Sequence, residues 1–181
     1  MKHWKYSFNM CAYAWASRYC GKANVMDLGC GIGCGMIVVS MVAKSIIGVD
    51  REKDQGGRPS LIQARKNIYF CPIQFVIRDL ETERVGLDCD VCIAFEVLEH
   101  LKNPEFVLEE MSKRCKLFIF SIPREYGTTL GHKQIFHNLE DVKKLVSPFF
   151  KKIEWFWFRN GYVSMKPFDN TQRFIGVCSN K

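Results

Sequence analysis

No run of apolar residues in this chain approaches the ~20 that a membrane-crossing helix requires. The opening residues Met1-Lys2-His3-Trp4-Lys5-Tyr6 also lack the apolar stretch of a secretion signal. Membrane and secreted classes are set aside, and the cytoplasm is the expected compartment. Low-complexity tracts and internal repeats are missing, which excludes fibrous and solenoid architectures. At 181 residues, with 48% hydrophobic and 25% charged side chains, the chain has the length and balance of one globular domain over residues 1–181. The nine cysteines are odd in number, and several lie in apolar runs, so reduced buried thiols are expected rather than a disulfide framework. Cys89 and Cys92 have C-x-x-C spacing, but a strand turns residues three apart to opposite faces, which argues against their sharing an ion.

What is present is a glycine-rich turn, Asp27-Leu28-Gly29-Cys30-Gly31-Ile32-Gly33, between two apolar runs. Strand, tight turn and helix opening is the order this implies. Glycines at alternate positions let the backbone approach a ligand closely, and free N–H groups at a helix start attract negative charge. A dinucleotide loop would place a further glycine three positions after the second, and position 34 is cysteine. Asp27 would repel a pyrophosphate but suits an ammonium group, so the amino-acid end of S-adenosylmethionine (SAM) fits better. About 20 residues on, Ile46-Ile47-Gly48-Val49-Asp50 reads as a second buried strand ending in an acid that can accept both ribose hydroxyls.

With these residues in order, the chain resembles the class I SAM-dependent methyltransferases, most closely their type 11 branch. Val25 to Gly33 is similar to the family's first motif and Gly48-Val49-Asp50 to its second-strand acid. Phe75 to Leu80 is similar to its third strand, Asp90 to Leu101 to its fourth strand and following helix, and Leu117 to Pro123 to its fifth. The resemblance implies an α/β fold, a Rossmann-like seven-stranded, mostly parallel sheet with one antiparallel strand near its edge and helices on both faces. It implies SAM as cofactor, held by Asp27, Gly29, Cys30, Gly31 and Gly33 at the amino-acid end. Asp50 would hold the ribose, Asp79 with Leu80 the adenine, Arg51 would be a further cofactor contact, and Glu96 would contact cofactor or acceptor.

Residues 4 to 20 show helical spacing of Trp4, Phe8, Cys11, Ala12, Trp15, Ala16 and Tyr19, so an N-terminal helix within residues 1–23 is expected to cover one side of the cleft. A polar segment, 51–59, delays the next helix to near Ser60. Helices are expected over Glu105 to Cys115 and Leu139 to Val146, and strands over Lys152 to Phe158 and Arg173 to Cys178. Asn160-Gly161 is a turn signal. Trp155 and Trp157 on one face, with Phe156 and Phe158 on the other, mark a strand covered on both sides.

Ligands of open α/β sheets bind beyond the carboxyl ends of the strands, which directs attention to Gly29–Cys34, Glu96–His100 and Arg124–His137. Glu96, Glu99 and His100 would share one helical face if a helix begins near Glu96. Either His100 serves as a general base, or Glu99 and His100 brace the helix start. His132 is the further catalytic candidate, in a region (124–170) expected to face the acceptor. The enzymes that 2′-O-methylate the 3′ end of small RNAs carry a similar E-x-x-E-H and a later histidine that bind a divalent ion. Here the gap to His132 is shorter, and no metal is expected. A small-molecule acceptor is the first expectation. The net charge of +7, with Lys143, Lys144, Lys151, Lys152, Arg159 and Lys166 late in the chain, keeps an RNA acceptor as a rival. A non-catalytic SAM-binding scaffold is the third reading.

Overall fold

The computed structural model describes residues 4–53, 64, 73–125 and 131–180. Near-continuous apolar runs form the central strands, as expected where both faces of a sheet are covered. In chain order the strands are β1 (Asn24–Leu28), β2 (Ser45–Asp50), β3 (Ile73–Ile77), β4 (Cys89–Phe95), β5 (Cys115–Pro123), β6 (Lys152–Arg159), β7 (Tyr162–Ser164) and β8 (Arg173–Ser179). They make one sheet in the order β3-β2-β1-β4-β5-β8-β6-β7. The five strands from β3 to β5 run parallel, and β8 lies antiparallel between β5 and β6.

Helices α1 (Trp4–Ala16) and α2 (Cys34–Ser40) lie on one face, and α3 (Pro104–Arg114) and α4 (Leu139–Val146) on the other. On the first face Ala12, Trp15, Ala16, Met36 and Val39 pack against Val25, Ile93, Ile119 and Ile175. On the second, Val107, Leu108, Met111, Val142 and Val146 pack against Met26, Cys92, Phe118 and Phe120. Each fully buried side chain of this size contributes about 1.5–3 kcal/mol. Pro104 opens α3, where its missing N–H costs nothing. Asn138 and Asp141 close a reciprocal capping box on α4.

The α/β expectation holds, with three differences. The sheet has eight strands rather than seven, because Asn160 (φ 48°) and Gly161 (φ 87°) turn the chain back so that β7 pairs with β6. The third strand stops at Ile77, since Arg78-Asp79-Leu80 enters a turn in which Thr82 N and Glu83 N donate to Asp79 O. The N-terminal helix ends as a short 3₁₀ turn, Ser17–Tyr19. The helix expected near Ser60 lies outside the described residues. Phe156 and Phe158 are buried on one face of β6 while Trp155 and Trp157 pack against the core on the other, as their alternation requires.

Candidate active site

The glycine turn between β1 and α2 is built in left-handed backbone: Gly29, Gly31 and Gly33 have φ of 66°, 55° and 78°. It is fastened to the end of β2, where Gly29 N donates to Val49 O (2.7 Å) and Gly31 N to Asp50 Oδ2 (2.7 Å). Arg51 N donates to Asp50 Oδ1 (2.7 Å). Two backbone donors therefore fix the Asp50 carboxylate, half-exposed, against the turn. A Cβ on Gly31 would meet no atom within 4 Å, so that side of the turn is open. On Gly29 it would lie 2.6 Å from Val97 Cγ2.

Beneath the turn lies Asp27, fully buried. The Tyr13 hydroxyl, from α1, donates to both its oxygens at 2.8 and 3.0 Å. Burial pushes the Asp27 carboxyl up to about 8; the Tyr13 bond opposes this and the nearby Asp50 charge adds to it. The Tyr13 ring rests where a side chain on Gly35 would stand and meets Phe95 edge-on at 5.0 Å. Asp27 is thus sealed under α1 beneath the turn, with the Tyr13 hydroxyl on both its oxygens. Cys30 is likewise inward, its Sγ 2.7 Å from where a Cβ on Gly48 would stand.

At the end of β3, Asp79 Oδ1 accepts from Glu81 N (3.0 Å), and Asp79 Oδ2 stands 3.9 Å from Arg51 Nη1. Leu80 is buried in the core. Asp79 and Arg51 thus face each other beyond the ends of β3 and β2.

Beyond β4 the chain does not enter an α-helix at Glu96. That residue is left-handed (φ 57°) and a 3₁₀ turn follows at Leu98–His100. The shared helical face expected of Glu96, Glu99 and His100 is therefore corrected. Glu96 turns toward β5 and β8: Ser121 Oγ donates to its Oε1 (2.9 Å) and Arg173 Nε to its Oε2 (3.1 Å). Glu99 points inward, fully buried, and neither carboxylate oxygen has a hydrogen-bond partner. Burial, then the Glu96 charge, then Glu125 hold its carboxyl well above the usual range.

The Gly131–Gln134 segment docks on this turn, with Lys133 N (2.7 Å) and Gln134 N (3.1 Å) donating to Glu99 O. His100 Nδ1 donates to Gly131 O (3.0 Å), and His132 Nδ1 lies in close contact with buried Glu125 Oε1. The two imidazoles meet edge-on at 4.6 Å. Ligand atoms of Glu99, His100 and His132 lie within 4.8 Å of one another. Three carboxylates, Glu96, Glu99 and Glu125, thus gather around one guanidinium, Arg173, and two imidazoles.

The structure brings together the predicted Glu96, His100 and His132, and places Gly29, Gly31, Gly33 and Asp50 at the neighbouring strand ends. Sequence reasoning missed Tyr13, Ser121, Glu125 and Arg173 as site residues. Glu125 lies within the expected Arg124–His137 segment and carried a signal, an acid ahead of its histidines. Arg173, 77 positions from Glu96, carried none.

A model of the methyltransferase domain matches residues 16–164. No curated protein matches significantly by sequence. Among solved structures, a TehB-like SAM-dependent methyltransferase from Corynebacterium glutamicum is similar at TM-score 0.68 and 18% identity, covering 94% of this chain and 87% of that one. The N-terminal domain of EvdMO1, solved with S-adenosylhomocysteine (SAH) and D-fucose, reaches 0.67 at 14% identity, with 100% and 85% covered. The small RNA methyltransferase HEN1 reaches 0.75 at 20% identity, with 97% of this chain and 25% of that chain covered.

Proposed function

Starting from a chain that belongs to the methyltransferase-domain family and is a class I SAM-dependent enzyme, we propose that it methylates a hydroxyl oxygen of a small molecule beside a divalent ion held by Glu99, His100 and His132. The observation that carries this is Glu99, a fully buried carboxylate with no hydrogen-bond partner facing two histidines. An uncompensated buried charge of this kind costs several kcal/mol. The Gly131 carbonyl on His100 Nδ1 and the Glu125 carboxylate beside His132 are the kind of outer partners that orient metal-binding histidines. One carboxylate and two imidazoles form a mixed oxygen and nitrogen donor set suited to divalent first-row transition ions, Mn²⁺ through the carboxylate and Co²⁺ or Zn²⁺ through the imidazoles.

When bound, SAM would supply an electrophilic methyl group, and a divalent ion held by Glu99, His100 and His132 would supply Lewis acidity toward the acceptor hydroxyl. The residues of the chain supply position. Open Gly31 and the fixed carboxylate of Asp50 support the reading that they hold the cofactor's amino-acid end and ribose, with Arg51 and Asp79 toward the adenine. Tyr13 and Asp27 brace the turn from below. Glu96 is tied to Ser121 and Arg173, and Glu125 stands against His132. In this reading His100 and His132 are holders rather than bases. The 124–170 region forms the acceptor side.

The convergence of Glu99, His100 and His132 also favours a second reading, in which the acceptor is the 3′-terminal ribose of an RNA, as in the enzymes whose E-x-x-E-H this sequence resembles. Transfer of labelled methyl from SAM to a panel of hydroxyl-bearing metabolites and RNAs, with and without EDTA, tests both. Activity lost to the chelator and restored by Mn²⁺ is expected, and the product names the acceptor. Full activity in EDTA would refute the ion.

A further inference from the structure

At the opposite end of β4 and β5 from this site, the structure carries a second reactive arrangement. Cys89 and Cys115 open these two strands and are register partners across the parallel pair. Neighbouring strands lie about 4.7–4.9 Å apart, inside the Cα separation of roughly 4.4–6.8 Å that a disulfide spans. Both residues are half-buried, and both line a cavity of about 440 Å³ shared with Ser112, Lys113 and Asn180. Small molecules in solution can therefore reach the thiols.

Strict alternation would put Cys89 on the face of β4 opposite Cys92, yet both pack with Cys115 and Cys178 in the same core cluster. Cys89, the first residue of its strand, packs from the strand end against the cluster that holds Cys92. Its thiol consequently lies among other thiols. The neighbouring thiols of Cys115 and then Cys92 lower the Cys89 thiol, against opposition from burial and the Asp90 and Asp88 charges, while the contact with Cys89 and burial push Cys115 up; the Cys115 thiol itself donates to Met111 O (3.0 Å). By contrast, burial pushes Cys20, Cys30 and Cys178 up, as expected of unreactive core thiols.

We propose that Cys89 and Cys115 are a reversible dithiol pair that exchanges with low-molecular-weight disulfides of the glutathione class. The Cys89 thiolate attacks one sulfur of the disulfide RSSR, forming a mixed disulfide and releasing RS⁻, which takes a proton from solvent. Cys115 gives up its proton to solvent and attacks the Cys89 sulfur, displacing the second RS⁻ and closing the Cys89–Cys115 bond. The chain is oxidised by two electrons, and RSSR is reduced to two RSH. The closed bond links the two strands whose far ends carry Glu96 and Ser121.

The test incubates the reduced full chain with oxidised glutathione and reads it by intact mass and peptide mapping. Wild type loses two hydrogens and yields one cross-linked peptide containing Cys89 and Cys115. Cys115→Ser stops at a glutathione adduct on Cys89, and Cys89→Ser forms no bridge. Pulsed alkylation of unmutated protein at about pH 6 gives a readout free of folding effects, with Cys89 labelled ahead of Cys11 and Cys34. Adducts confined to other cysteines, or no faster labelling of Cys89, would overturn the proposal.

Discussion

Replacing Asp27 with Asn should change how stability depends on pH more than it changes the fold. The Asp27 carboxyl is at about 8 in the folded chain, against an ordinary value of 3.8. Because the folded value is the higher one, the native state holds the proton more tightly. Its contribution is complete below pH 3.8 and is lost as pH rises through about 8. One pH unit inside that window is worth about 1.4 kcal/mol, so roughly 6 kcal/mol is at stake across it. Asn keeps an oxygen for the Tyr13 hydroxyl and carries no charge. Urea unfolding of the cofactor-free chain from pH 5 to pH 9 should therefore show wild-type stability falling with pH and the Asp27→Asn curve much flatter. Tyr13→Phe should lower stability by about 1.5–3 kcal/mol, the worth of a hydrogen bond to a charged group, with the larger loss at high pH, where Asp27 is ionised. Parallel wild-type and Asp27→Asn curves would refute the reasoning.

Gly35→Ala should destabilise by about 1–3 kcal/mol, since its methyl must displace the Tyr13 ring; combined with Tyr13→Ala it should cost less than the sum, measured by a double-mutant cycle in urea. Glu99→Gln should have opposite effects on two readouts. The raised carboxyl means ionised Glu99 destabilises the apoprotein as pH rises above its unfolded value, so the variant should have the higher melting temperature at pH 8, while Mn²⁺ binding read by EPR is lost. Asp50→Ala removes the acceptor for two backbone N–H groups and the proposed ribose contact; calorimetry should show SAH binding weakened at least about tenfold, equal to 1.4 kcal/mol.

Where local pattern governs, the fold was legible. Continuous apolar runs gave β1, β2, β4 and β5 because buried parallel strands need no alternation, and Asn160-Gly161 gave a turn because both residues accept positive φ. The extra strand β7 was hidden, since three residues, Tyr162–Ser164, carry too little period to register. The site was legible in its loop, where glycine spacing is itself the geometry, and less so at Glu96. Helical spacing there suggested a shared face, but a left-handed residue breaks the period, and nothing local marks a glutamate for that conformation. Tyr13 fell off the apolar stripe of its helix and so escaped notice, though its hydroxyl reaches Asp27. Cys89 shows the same limit at a strand end, packing against the cluster that holds Cys92.

The position of β8 between β5 and β6 has a consequence for how the chain acquires its shape. β6 and β7 emerge first in synthesis but have no strand of the main sheet to join until residues 173–179 arrive. Until then β5 presents an open apolar edge and Glu96 waits for Arg173. Pairings across so many residues form slowly, and unpaired edges invite association with other chains. A nascent chain halted before Arg173 would hold the glycine turn and both histidines, yet lack the strand that closes the sheet around them.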